Sequence, residues 1–382
     1  MRLWPVALAA FGSTTSMRLC DPMLIALGQE FQVGTGDASA VVSAFAIAYG
    51  VLQFFYGPLG DRVGKLRVIV GATFACALFS LLTAFAPTLQ ALVIGRALMG
   101  AAAAGIVPLA IAWIGDQVAY ERRQETLARF SGATLLGMMA GQWFGGFAVQ
   151  HFGWRPAFAV LALVFLLAAS VLLQQVRRHA APAAPSGSLA EYLRGNRRLL
   201  QLPRVRLVLA FTALEGALAY GAMAFVPSRL VDAFGFSASQ AGTTMVLWGL
   251  GGLGYSQFAR RWLALLGERG LAVTGAGLLA VALGLLAWGQ GAAVAALACF
   301  LTGVGLYMLH NTLQTQATQM APEARGAAVT LFACVLFLTQ SVGVWVVGRS
   351  VDRGALHLSF SVCAVALLLL GVWVSRHVRP RA

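Results

Sequence analysis

Five ionisable side chains stand inside otherwise apolar stretches of this 382-residue chain: Arg18, Asp21, Arg96, Glu215 and His310. A charge at the centre of an apolar phase costs at least ~2.5–3.5 kcal/mol, so such residues are few and mark places that pair, bind or relay protons. Arg18 and Asp21 are three positions apart and share a helix face, which suits a substrate contact or an ion pair formed in one state only. Glu215 has no partner nearby in sequence. A lone carboxyl group facing an apolar, intermittently wet cavity is a proton carrier by chemistry, and Glu215 is the expected one, with Arg96 or His310 able to approach it. His310, with Asn311 and Gln314 beside it, fits either a hydrogen-bonded polar patch or a binding position. None of the five histidines or five cysteines (Cys20, Cys76, Cys299, Cys334, Cys363) has metal-ligand spacing, so neither a metal nor another cofactor is expected.

The elements that must carry these residues follow from composition. Apolar residues make up 59% of the chain and charged residues 10%, against roughly 25% charged in a soluble domain. Soluble enzymes, nucleic-acid binders and disordered scaffolds are excluded, and the mean hydropathy of +0.79 agrees. Runs of near-spanning length fall at about 4–27, 38–59, 68–86, 90–114, 127–148 and 156–175, then at about 207–230, 239–258, 271–289, 292–316, 327–347 and 356–375. The fold class expected is an all-α polytopic membrane protein of twelve transmembrane helices. Its six-helix halves are 1–175 and 206–382, joined by a polar linker over 176–205. The first run, after Met1-Arg2, is read as an uncleaved helix rather than a signal peptide. Leu189, Tyr192, Leu193, Leu199 and Leu200 interleave with arginines in the linker and predict an amphipathic surface helix.

Orientation follows from charge. Twenty-one of the 27 basic residues fall on one side, and Arg155, Arg229, Arg349 and Arg353 on the other, with Arg18 and Arg96 within spans. That asymmetry places both termini and the linker in the cytoplasm, with the chain in the inner membrane. It also accounts for a pI near 10.7 without any nucleic acid. The ionisable residues recur in every third span (1, 4, 7 and 10). Four polar helices facing one another across the two halves would enclose a water-accessible cavity.

The halves echo each other faintly. Gln142 in Gly141-Gln142-Trp143-Phe144-Gly145-Gly146 has a counterpart in Gln340-Ser341-Val342-Gly343, each after the fifth span of its half. Gly137, Gly141 and Gly145 recur every four residues and predict close helix packing.

Between spans 2 and 3 stands Gly57-Pro58-Leu59-Gly60-Asp61-Arg62-Val63-Gly64-Lys65-Leu66-Arg67. Its glycines permit tight turning. Asp61 is placed to cap a helix N-terminus, and Arg62 to pair with Asp116 at the end of span 4. The stretch resembles the loop signature of the major facilitator superfamily, with a departure at Leu66. Leu92 to Gly100, around Arg96, is similar to the family's second motif, with Met99 where glutamine is common. Gly132 to Gly146 is similar to its antiporter motif, with Gln142 where proline stands. A second copy of the loop signature, Gly254 to Gly270, is degenerate.

The resemblance spans essentially the whole chain. It points to the twelve-span, proton-driven drug and metabolite efflux transporters, and implies the major facilitator fold, a monomer, a small-molecule substrate and protons as coupling ion. It suggests span 11, near Gly326, as the helix capped by Asp61. Contacts of Asp61 and Arg62 would then hold the halves together on the cytoplasmic side. Export by proton antiport is the expected activity, and uptake by proton symport remains open. A membrane-embedded enzyme lacks an acid pair or metal cluster at one depth, a channel lacks a ring of like charges, and ATP drive lacks a GxxxxGK[ST] loop.

Overall fold

The computed structural model describes residues 3–176 and 189–378, and among these every regular element is helical. Arg2, Arg379 and Arg381 lie outside the described residues. So does the first part of the expected linker, with Arg177, Arg178, Pro182, Pro185, Ser186 and Gly187. Nine described segments are long and apolar enough to cross a membrane. Ala238–Trp288, 51 residues long, counts as two, because Gly267 (φ 63°, ψ 175°) reverses the chain within it. Span 1 falls below that threshold because it is broken, and span 5 because glycine and glutamine dilute its apolar content. The count among the described residues is twelve.

The spans are: 1, Trp4–Arg18 continued by Leu24–Phe31; 2, Ala40–Val63; 3, Lys65–Ala84; 4, Leu89–Gln117; 5, Tyr120–His151; 6, Trp154–Val176; 7, Pro203–Phe234; 8 and 9, residues 238–266 and 268–288; 10, Ala292–Gln319; 11, Arg325–Val351; 12, Leu356–His377. Spans 2 and 3 meet at Gly64 (φ 100°), as spans 8 and 9 meet at Gly267. Positive φ at these two positions favours glycine. The loop signature is therefore not a loop. Gly57, Gly60, Asp61 and Arg62 lie on the last turns of span 2, and Gly64 alone makes the turn.

Three of the polar spans are interrupted, spans 1 and 7 at their polar residues and span 4 about two turns past Arg96. Span 1 breaks into a 3-10 turn over Asp21–Met23, where Pro22 has no N–H to donate to the preceding turn. Span 4 bends at Ala104 and Gly105. Span 7 passes through a π-helical turn, Gly216–Tyr220, directly after Glu215. Such turns are rare and concentrate at functional positions.

The same pairing of spans recurs in the two sets of six. Span 4 crosses span 2 where Gly100 lies on the Phe45 backbone, and span 10 crosses span 8 where Gly303 lies on the Trp248 carbonyl. Gly137, Gly141 and Gly145 of span 5 lie against the carbonyls of Phe11, Thr15 and Leu19 in span 1, and Gly343 of span 11 lies against Ala217 of span 7. The faint echo of Gln142 and Gln340 thus has a physical basis: each stands three residues before a glycine that seats its helix on the first span of its own set.

The end that carries Lys65, Arg122 and Arg269 is the basic end; the other is the far end. Contacts between the two sets run from the far end to mid-depth. Gly36 N–H donates to Asp352 Oδ1 (2.7 Å), Ser341 Oγ donates to the Ser43 carbonyl (3.2 Å), and Gly50 packs on Cys334 and Phe337. On the other seam Ser239 N–H donates to Gln150 Oε1 (2.8 Å), Gly242 lies on the Gln142 carbonyl, and Gly249 meets Met139. Toward the basic end a side chain at Gly57, Gly132, Gly254 or Gly326 would meet nothing within 4 Å. The far end is shut and the basic end open.

The expected amphipathic element is the helix Leu189–Leu199. Its Tyr192 hydroxyl donates to the Phe54 carbonyl of span 2 (3.0 Å), Asn196 and Leu199 are buried, and Arg194, Arg197 and Arg198 are exposed.

Candidate functional site

The break in span 1 holds Asp21 fully buried, one turn below Arg18. Asp21 Oδ2 accepts from Gln142 Nε2 at 2.9 Å and lies 3.4 Å from Arg18 Nη1, while Oδ1 has no partner. Gly141 makes this possible: a side chain there would press on the Thr15 carbonyl and on Arg18 Cβ. Arg18 reaches across the divide, its guanidinium 5.6 Å from the ring centre of Tyr220 and 5.9 Å from that of Trp248. Two aromatic faces offered to one cation are attractive, by ~2 kcal/mol each when desolvated.

Glu215, also fully buried, meets His310 of span 10, with Oε2 3.2 Å from Nδ1 and Oε1 without a partner. His310 is partly exposed, so it stands between the buried carboxyl group and the open side of the protein. Tyr220 connects the two pairs. Its ring is 5.8 Å from that of His310 and faces Arg18 on its other side. The π-helical turn sets the Glu215-to-Tyr220 spacing that allows this. Trp248 Nε1 has no partner, and its ring is 6.1 Å from that of Tyr307. A buried polar group without a partner costs about 1–3 kcal/mol. Several such groups at one junction mark a place where protons, water or solute are handled.

The expected site residues do not all converge here. Arg18, Asp21, Glu215 and His310 do. Arg96 is buried near Asp21, close enough for their charges to interact: it donates to the carbonyls of Val41 (3.2 Å) and Ser16 (2.9 Å) and to Ser16 Oγ, lies 4.3 Å over the Phe45 ring, and has no partner at Nη2. It ties spans 1, 2 and 4 together. Asn311, next to His310, is hydrogen-bonded with Tyr255. At the basic end, Lys65 and not Arg62 meets Asp116, at 2.5 Å, and it also approaches Asp61 at 3.6 Å. Arg62 points out on the last turn of span 2, whereas Lys65, past the Gly64 turn, points back toward span 4. Asp61 does not cap span 11 in this conformation, and Gly326 has no neighbour.

Four residues of the site, Gln142, Tyr220, Trp248 and Tyr307, are not marked as such by sequence patterns. Only Gln142 carries a signal, as the departure from the antiporter pattern.

Residues 6–344 match the family model described as Major Facilitator Superfamily. The chain is 24% identical over 353 residues to an uncharacterized MFS-type transporter, YceJ, of Bacillus subtilis (strain 168), covering 91% of this chain and 88% of that one. It is 26% identical over 254 residues to the multidrug resistance protein MdtM of Escherichia coli O157:H7, covering 64% and 60%. Among solved structures, a point mutant of the nucleoside transporter NupG superposes with a TM-score of 0.79 at 14% identity, covering 98% of each chain. A bacterial homolog of the human lysosomal transporter Spinster, inward-facing and unoccupied, gives 0.76 at 16% identity, covering 98% and 96%.

Proposed function

The chain belongs to the major facilitator superfamily, and from that premise we propose that it exports a small organic solute by proton antiport, through alternating access. In this reading residues 1–175 and 206–382 rock as two units joined by 176–205, around a midplane site. The basic end is cytoplasmic, which makes the conformation described here inward-open. The protein sits as a monomer in the inner membrane with both termini in the cytoplasm. The observation that carries the proposal is the Glu215–His310 contact: a fully buried carboxyl group with one oxygen without a partner, in contact with a partly exposed imidazole. Protons enter and leave there. Arg18, Asp21 and Gln142 contact solute or close the far end in alternation.

Export draws support from a relative named as a multidrug resistance protein and from citrate exporter 1 of Aspergillus niger, 28% identical over 187 residues and matching 35% of that protein's length. Proton symport is the second reading. Gln142 favours it, because it stands where the antiporter pattern has proline.

Purified protein in vesicles with an imposed pH gradient, screened with cationic drugs, sugars and organic anions, tests both. Glu215→Gln abolishes gradient-driven movement while solute binding persists, and Asp21→Asn weakens both. Gradient-driven movement that survives in Glu215→Gln would remove the proton from this residue. The sign of the gradient that drives accumulation separates antiport from symport.

A further inference from the structure

A cavity lies away from the central site, at the far end of the seam between spans 2 and 11. It measures about 840 Å³ and is walled by Ser43 and Ile47 of span 2, Val93 of span 4, and Ser341, Val342 and Trp345 of span 11. Its walls are apolar and its opening is sideways. Ile47, Val342 and Trp345 are 46%, 56% and 57% exposed on the outer surface of a membrane-spanning bundle, so the cavity opens toward lipid. Ser43 and Ser341 use their hydroxyls on backbone carbonyls across the seam, which leaves the floor without free polar groups.

The mouth is charged, with both signs. Arg349, one turn beyond Trp345, lies with its guanidinium 4.9 Å over that ring. Asp37 is exposed and lines the opening on the other side. Among the described residues neither has an oppositely charged side chain within 4 Å; the carboxylate of Asp352, which is close by, is engaged with Gly36 N–H. An aromatic ring and an arginine at the end of a spanning helix mark the depth of lipid headgroups.

We propose that this groove is a site for one aminophospholipid. An acyl chain fills the apolar cavity, the phosphate meets the Arg349 guanidinium, and the primary ammonium of the headgroup meets Asp37. The chemistry is specific. A guanidinium recognises phosphate through charge-assisted hydrogen bonds, and a carboxylate beside it disfavours a purely anionic headgroup while accepting hydrogen bonds from a primary amine. A trimethylated amine donates none. The site also carries a consequence. Its walls come from both sets of six spans, and they are held in register by the Gly36–Asp352 and Ser43–Ser341 contacts. Opening the far end parts these walls and empties the site, so bound aminophospholipid favours the conformation with the far end shut.

The test uses the full chain, purified and offered equimolar phosphatidylethanolamine, phosphatidylcholine and phosphatidylglycerol of identical acyl composition, with retained lipid counted by native mass spectrometry. One phosphatidylethanolamine is expected per chain, retained about tenfold over phosphatidylcholine, the scale of one charge-assisted hydrogen bond. D37N abolishes the preference, R349Q lowers retention of all three lipids through the phosphate they share, R349K keeps retention, and R261Q, which removes a similar arginine over Phe258 at the basic end, leaves retention and preference unchanged. Spin labels at F152C and A233C, both at the far end and outside the groove, report a higher shut fraction in phosphatidylethanolamine than in phosphatidylcholine for the wild type but not for D37N. Equal retention of the three lipids, a preference for phosphatidylglycerol, an undiminished preference in D37N, or undiminished retention in R349Q would each overturn the assignment.

Discussion

The guanidinium of Arg18, carried by span 1, faces the ring of Tyr220, carried by span 7, at 5.6 Å. Span 1 belongs to the first set of six and span 7 to the second, so this contact exists only while the two sets are closed above it. Tyr220 also faces His310, at 5.8 Å. Tyr220 is thus a neighbour both of Arg18 and of the Glu215–His310 pair.

Tyr220→Ala removes a cation–π contact worth about 0.5–2 kcal/mol. The fraction of molecules with the far end open should rise by roughly 2–30-fold, and Tyr220→Phe, which keeps the ring face, should restore most of the shut population. Distances between labels at F152C and A233C measure both. A Tyr220→Ala distribution that overlays the wild type would show that this contact does not hold the far end shut.

Gly36 and Gly249 both lie on the seam, yet they predict different outcomes. A side chain at Gly36 would meet the Gly348 carbonyl and the Asp352 carboxylate, one of them helix backbone, which cannot retreat. Overpacking of this kind costs ~1–3 kcal/mol. A side chain at Gly249 would meet only the Met139 thioether, which repacks easily. Gly36→Ala should favour the far-open state and slow transport, whereas Gly249→Ala should do little. Solvent accessibility of single cysteines at the far end separates the two, and equal effects would mean that the backbone contact is not limiting.

The spans are legible in the sequence because lipid demands long apolar runs, and so are the polar residues within them, because each is an exception to that demand. Which residues meet is not. Glu215 and His310 are 95 positions apart, and their contact depends on the rotation of two helices that no single-sequence pattern fixes. Arg96 is legible as a buried charge, but not as one bonded to the carbonyls of Val41 and Ser16 within its own set with Nη2 left without a partner. The signature after Gly57 reads as a loop, yet the helix runs through it to Val63 because only Gly64 takes a positive φ. That one turn decides that Lys65, rather than Arg62, reaches Asp116.

The Lys65–Asp116 pair makes a modest prediction. Both side chains are partly exposed, so the pair contributes about 0.2–1 kcal/mol and weakens with salt. Lys65→Gln and Asp116→Asn should each lower the melting temperature slightly at low ionic strength and hardly at all at high, while Arg62→Gln has no such salt-dependent effect. The doubly reversed Lys65→Asp/Asp116→Lys variant should recover part of the loss. Melting curves at two salt concentrations decide the matter. An Arg62→Gln variant that tracks Lys65→Gln would restore Arg62 as the partner.

The far-end arginines bear on topology. Arg155 donates to the Ala86 carbonyl past the end of span 3 (3.2 Å) and pairs with Glu30 (2.5 Å), and Arg229 donates to the carbonyls of Leu286 and Ala287 near the end of span 9 (2.9 and 2.6 Å). The two come from different spans, Arg155 from the start of span 6 and Arg229 from the end of span 7, yet each satisfies carbonyls that the C-terminus of the third span of its set leaves open. Their presence on the far side is explained by capping, and the remaining basic excess at the other end is free to set orientation. Reporter fusions at Ala382 and near Pro185 should therefore both report cytoplasm, and a fusion after Gly235 should report the opposite compartment. Arg155→Gln and Arg229→Gln should lower stability by about 1–3 kcal/mol, the scale of unsatisfied carbonyls, without inverting any fusion. A periplasmic signal at Ala382 in the wild type would overturn the span count, and inversion by either variant would mean that these arginines contribute to orientation after all.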